Sequence, residues 1–223
     1  MPTLQKKFGK DNIVTHFDSA IRAFREKRRE NLRLYPGVIE TFDLAKKSGV
    51  RIVAYTESQA FYTAYRFRKL GLDKIVDYLF SPPDHDIPEG VSRLSMRSRP
   101  QDSYNLAKTI HGRTPPDEKK PNPVLLLDII REIGAKPNEC IYVGDSLFKD
   151  IAMAADANVT SFYAKYGVSH SLKEYDLLRE VTHWTDEDVN YEKGLRDREV
   201  VPNYILENNF GELNNYVSWR RFK

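Results

Sequence analysis

One cysteine, Cys140, occurs in the 223 residues. A single thiol cannot form an internal disulfide or build a metal-thiolate cluster, so no covalent staple is expected. Long apolar runs are also missing. Mean hydropathy is −0.59, and no stretch is long enough to cross a bilayer. The opening segment MPTLQKKFGKDN has no apolar stretch behind its basic residues, so it does not read as a secretory signal. Cytoplasm is the expected compartment. Charge of one sign is absent too: 35 Lys and Arg face 32 Asp and Glu, for a net charge of +3. Nucleic-acid binding would need basic residues gathered on one face, so neither nucleic acid nor membrane is an expected partner. One local cluster stands out: Arg22, Arg25, Lys27, Arg28, Arg29 and Arg33. The solvated side of a helix is the simpler reading of it. The five histidines, His16, His85, His111, His170 and His183, show no metal-ligand spacing. There is no internal repeat and no low-complexity tract.

What is present suits one globular core. Hydrophobic residues make up 40% and charged residues 30%. Phe17, Ile21, Phe24 and Leu32 recur at helical spacing, which predicts a helix over 16–33. Pro36 and Gly37 break the chain, with Pro36 read into the first turn of a second helix that ends at Gly49. The runs 51–55 and 77–80 read as strands, with a helix to Leu70 between them. Residues 82–121 carry seven prolines and read as a long irregular insertion, helical only near Ser103–Thr109. Its basic residues and histidines would suit a lid over an anion, but a solvated surface insertion is the simpler reading. Regular alternation then resumes. Helix 123–133 leads to strand 139–143, helix 149–157 and strand 159–163. The tail holds helices near 172–180, 186–196 and 211–219 and a short strand at 204–206. Strands alternating with helices predict an α/β fold, a three-layer parallel sheet with helices on both faces.

In such a sheet the ligand site lies beyond the carboxyl ends of the strands. Polar residues just after an apolar strand are therefore the candidates. Thr56, Glu57 and Ser58 follow the first strand. A hydroxyl there, beside N–H groups at a helix start, suits a phosphate oxygen, although a plain helix N-cap would use the same residues. Lys120 stands before a helix among prolines and can neutralise a phosphoryl group. Gly144-Asp145-Ser146-Leu-Phe-Lys-Asp150 places two carboxylates at one strand end. Hard oxygen ligands there suit Mg²⁺, which takes one or two carboxylates plus waters and phosphate. Helix capping is the alternative use of the same acids.

The three sites, in the order Thr, Lys, Asp-plus-Asp, resemble the haloacid dehalogenase (HAD) superfamily of hydrolases. The resemblance runs from about Phe17 to the C-terminus, through YPGVIETFDLAKKSGVRIVAYTES and KPNPVLLLDIIREIGAKPNECIYVGDSLFKDIAMAADANV. It implies a HAD-like, Rossmann-type core over 35–223, with the insertion at about 82–121, and a remnant of a helical cap over 1–34. It implies catalytic and phosphate-binding roles for Thr56 and Lys120, with Glu57 and Ser58 at the phosphate, and Mg²⁺ held by Asp145 and Asp150. The reaction implied is phosphate monoester hydrolysis on a small phosphorylated substrate, through an aspartyl-phosphate. The family's first motif, a strand ending Asp-x-Asp, does not occur before Thr56. Asp18 lacks the second acid and reads as a helix start. The expectation is therefore a truncated core, inactive alone, that begins inside the cap. A strand from a partner chain, or a non-catalytic pseudo-phosphatase acting as a binding protein, are the alternatives. A receiver domain also uses acids, Thr and Lys at strand ends, but it is shorter. A missing central strand would leave sheet edges open, for self-association or for closure by residues 1–15. The substrate itself is not legible.

Overall fold

The computed structural model describes residues 17–84, 100–116, 118–168, 194 and 198–222. Helices α1 (Asp18–Glu30) and α2 (Val38–Lys47) come first, then β1 (Val53–Tyr55), α3 (Ala60–Lys69) and β2 (Tyr78–Ser81). Strand β3 (Ile110–Arg113), α4 (Pro123–Glu132) and β4 (Ile141–Gly144) follow. A π-helical turn (Leu147–Ile151) runs into α5 (Ala152–Asp156), and β5 (Thr160–Ala164) and β6 (Tyr204–Leu206) complete the order. Every strand pairing is parallel, in two three-stranded sheets ordered β1-β2-β3 and β4-β5-β6. The α/β class with helices on the sheet faces is thus observed. Among the described residues no helix is long and apolar enough to cross a membrane.

Strand alternation builds the layers. In β1, Val53 and Tyr55 pack with Phe80, Ile129 and Ile133 on the α4 side, while Ala54 packs with Leu79, Phe67 and Phe42 on the opposite face. In the other sheet Tyr142 faces Leu126, Ile130 and Met153, whereas Ile141 and Val143 face Leu206 and Leu213. Helix α4 therefore offers one stripe to each half: Leu126 and Ile130 to the second sheet's side, Ile129 and Ile133 to the first. On the far face the halves meet again where Phe42 stacks edge-on against Phe210 at 5.4 Å. There Asn214 also donates to Thr41 Oγ1 at 2.9 Å.

Gly37 caps α2 at φ +80°, and a Cβ on it would stand 2.4 Å from the Gly211 nitrogen. Only glycine serves at such a position. Pro36 consequently lies before the cap rather than in the first turn, as the sequence reading had it.

Among the described residues no strand joins the two sheets. The Ile52 carbonyl accepts from Asp77 and Tyr78 N–H, and Thr56 N–H donates to the Phe80 carbonyl. Val53 and Tyr55, the alternate residues, therefore turn their N–H and C=O to the opposite edge. Among the described residues no strand pairs with that edge of β1 or with the corresponding edge of β4.

The expected stretch 82–121 contains a strand that the sequence reading left out, β3, which pairs with β2 from Tyr78↔Ile110 to Ser81↔Arg113. The helical stretch near 103–109 is a short 3₁₀ turn at Gln101–Tyr104 instead. The tail helix at 211–219 is a 3₁₀ turn over Phe210–Asn215. The expected helices at 172–180 and 186–196, and closure by residues 1–15, lie outside the described residues, bar Gly194.

Candidate functional site

The loop after β1 does not cap a helix in the ordinary way. Helix α3 starts at Ala60 behind Gln59, with no side-chain cap from Thr56 or Ser58. Instead Ser58 N–H donates to Thr56 Oγ1 at 3.0 Å. The first N–H groups of α3 are met from β2's loop: Ala60 donates to the Pro82 carbonyl at 3.1 Å and Phe61 to Asp84 Oδ1 at 2.8 Å. Asp84 was not singled out from sequence, because its partner is 23 residues distant. The Thr56 and Ser58 hydroxyls are thereby left free of helix capping.

Lys120 enters from the chain just before α4, whose own N-cap is Asn122, accepting from Leu125 N–H at 2.9 Å. The Lys120–Pro121 peptide bond is cis. Lys120 Nζ donates to Asp150 Oδ1 at 2.9 Å and reaches the Tyr55 carbonyl at 3.5 Å. It lies 4.5 Å from the Tyr55 ring centre and 5.6 Å from that of Tyr142. This ammonium thus spans the tips of both inner strands, flanked by two rings that attract a cation. Burial alone would lower its pKa, but Tyr142 and Asp150 outweigh burial and hold it above the ordinary lysine value. The Lys120 and Asp150 side chains are only 12% and 9% exposed, so this is a buried pair.

Asp150 is placed by its surroundings. A Cβ on Gly144 would stand 2.3 Å from Asp150 Cβ, so the glycine makes room for the carboxylate. Tyr142 Oη donates to Asp150 Oδ1 at 3.1 Å and Ser146 N–H to Oδ2 at 3.2 Å. Capping of the next turn falls to Ser146, whose Oγ accepts from Lys149 N–H. Asp145 packs against Gly167, where an added Cβ would lie 3.1 Å from Asp145 Cβ. Burial, helped by the Asp145 charge among others, raises the Tyr163 hydroxyl; burial also pushes Tyr166 to about 12, with Tyr35 and then Asp145 adding to it.

Glu57 has a different place from the one its neighbours suggest. Its Oε1 accepts from Lys120 N–H at 2.6 Å, and its Oε2 lies 3.5 Å from Lys149 Nζ. A carboxylate repels phosphate, so its side chain ties the Lys120 loop to the Thr56 loop. Tyr55, Tyr142 and Lys149 were not legible as site residues. The two tyrosines read as ordinary strand positions, and only their convergence on Lys120 reveals them. Burial raises Tyr55 to about 12 against the opposing pull of Lys120, and burial raises Tyr142 too.

The sequence model of the haloacid dehalogenase-like hydrolases matches residues 4–158. The chain belongs to this family. Among curated proteins, this HAD-like chain is similar to a glyceraldehyde 3-phosphate phosphatase of Methanopyrus kandleri, 23% identical over 164 residues, covering 74% of this chain and 57% of that one. It is also similar to a phosphoglycolate phosphatase of Nitrosococcus oceani, 27% identical over 149 residues, 67% of this chain and 52% of that one. It thus spans about half the length of the curated relatives it matches. Among solved structures, a HAD phosphatase from Thermococcus onnurineus aligns at TM-score 0.49 and 16% identity, over 84% of this chain and 60% of that chain.

The two residues expected to hold a metal, Asp145 and Asp150, follow the end of β4. Among the described residues no group of three or more His, Cys, Asp or Glu is gathered for a metal ion. Mg²⁺ needs less than that, because water and phosphate complete its shell. Asp150 Oδ2 receives one backbone donor and keeps a lone pair for a cation. The donor set therefore fits Mg²⁺.

Proposed function

We propose that this chain carries the phosphate-binding and charge-neutralising part of a Mg²⁺-dependent phosphate monoester hydrolase acting on a small substrate. The observation that carries the reading is the convergence of Thr56, Lys120 and Asp150 at the carboxyl ends of β1 and β4, tied by Lys120 Nζ. The Thr56 and Ser58 hydroxyls would donate to phosphoryl oxygens. Lys120, itself largely buried, would offset the charge that builds on them. Asp150 keeps that lysine aimed and charged, and Glu57 holds its backbone N–H. Mg²⁺ held by Asp145 and Asp150 would supply further charge neutralisation at the phosphoryl group. Among the described residues none gathered at this site is placed as the attacking aspartate of an aspartyl-phosphate step, so our reading is confined to binding and charge neutralisation. The names of both curated relatives, a glyceraldehyde 3-phosphate phosphatase and a phosphoglycolate phosphatase, support phosphate ester chemistry.

The test is calorimetric titration with ethylphosphonate, with and without Mg²⁺. Binding should require the lysine, with Lys120→Met weakening it about tenfold or more, the cost of losing one charged hydrogen bond. Affinity that is indifferent to Lys120→Met sinks the reading.

A further inference from the structure

The basic cluster on α1 meets α3, the helix that follows the Thr56 loop, where Lys69 bonds the Arg29 carbonyl. Three of the cations on α1 and α3 have a carboxylate among the described residues. Arg22 pairs with Asp18, Lys27 with Glu30, and Arg68 with Asp73. Arg66 on α3 differs. Its guanidinium donates to Ser58 Oγ at 3.2 Å, and it pairs with no carboxylate among the described residues. Burial lowers its pKa, and Arg28 lowers it further. Arg28 for its part sits over the Phe24 ring at 5.6 Å and has no carboxylate among the described residues either. Lys69, one turn on, donates to the Arg29 carbonyl and so fastens α3 to the end of α1. Arg28 on α1 and Arg66 on α3 thus stand on two helices that this bond holds together, with the Arg66 side chain partly buried. Like charges so placed repel, and the arrangement is improved by an anion between them.

We propose that Arg66, assisted by Arg28, binds a second anionic group of the substrate, a carboxylate or a second phosphate. The position fits this. Arg66 touches the Ser58 hydroxyl, which with Thr56 belongs to the proposed phosphate site, so the second anion would lie directly beside the first. A guanidinium offers planar paired donors that match a carboxylate or phosphate edge. The substrate class is therefore a small phosphate ester with another negative charge a few bonds from the ester oxygen. This rests on the phosphate-site reading above.

The experiment compares two non-hydrolysable probes, phosphonoacetate and ethylphosphonate, by titration against the full chain and against Arg66→Gln and Arg28→Gln, each checked for intact fold by circular dichroism. The parent chain is expected to prefer phosphonoacetate by about tenfold. Arg66→Gln should bring that ratio near one, Arg28→Gln should lower it in part, and Arg66→Lys should restore only some of it. A parent ratio near one, or a ratio that survives Arg66→Gln, overturns the second-anion site while ethylphosphonate binding leaves the phosphate site standing. Failure of both probes to bind removes the phosphate site, and this proposal falls with it.

Discussion

Asp73 accepts N–H bonds from Ala107, Lys108 and Thr109 at 2.9, 3.1 and 3.0 Å. Burial alone would raise its pKa, but these three donors, with Arg68, bring it down to about 2. A carboxyl depressed in the folded state stabilises above its unfolded pKa and loses that contribution as pH falls toward the folded value. Acid titration should therefore cost about 2 kcal/mol between roughly pH 4 and pH 2. Asp73→Asn should flatten that segment of a stability-against-pH curve measured by urea denaturation. Lys120 is the second buried charge. Replacing it with Met strands the Asp150 carboxylate, and removal of one partner of a buried pair costs about 3 kcal/mol. Asp150→Asn, made on top of Lys120→Met, should return part of the loss in the same assay. Tyr55 offers the opposite sign. Its hydroxyl is buried without a hydrogen-bond partner among the described residues. Tyr55→Phe removes an unsatisfied group and should raise stability by about 1 kcal/mol. A drop in melting temperature for that variant would mean the hydroxyl is in use.

At the scale of elements, most strands and helices were legible because apolar residues recur at the right spacing. Val53–Tyr55, Ile141–Gly144 and Tyr204–Leu206 all fall where short apolar runs were read. Strand β3 was not legible because its sequence, Ile-His-Gly-Arg, has no apolar alternation. It is held by backbone pairing with β2, by Thr109 Oγ1 bonding the Val76 carbonyl, and by His111 against Ser81 Oγ at 2.8 Å. None of those partners is near in sequence. His111 is pushed down to about 4, by burial first and Arg113 second, so it enters the sheet uncharged at neutral pH. The site was half legible for a similar reason. Thr56, Lys120, Asp145 and Asp150 are polar residues at strand or helix ends, and position alone marks them. Glu57's hold on the Lys120 loop is a long-range contact that spacing does not encode. The turn after β4 gives a sharp prediction. Gly144→Ala would drive a methyl into Asp150 and push it off Lys120. Ethylphosphonate binding should fall about tenfold or more, with a fold still cooperative by thermal denaturation. Unchanged binding would mean that Asp150 does not need its present place.

At the scale of the molecule, β1 and β4 each keep an edge to which no strand pairs among the described residues. Open edges are templates for another strand. We propose that the chain self-associates or takes a partner's strand there. Sedimentation velocity over a hundredfold range of concentration should show a rising mean mass, and a concentration-independent monomer would defeat self-association. Adding a synthetic apolar strand peptide would then separate the partner option.

What joins the halves in the meantime is α4, with one stripe on each, and Lys120 at its head, bonded at once to the Tyr55 carbonyl and to Asp150. A ligand drawn to that lysine would lean on both sheets equally. The slow opening of β1 and of β4, ordinarily two separate clocks, should then run at one pace. Deuterium uptake at 53–55 and at 141–144 should fall by the same factor as phosphate is added.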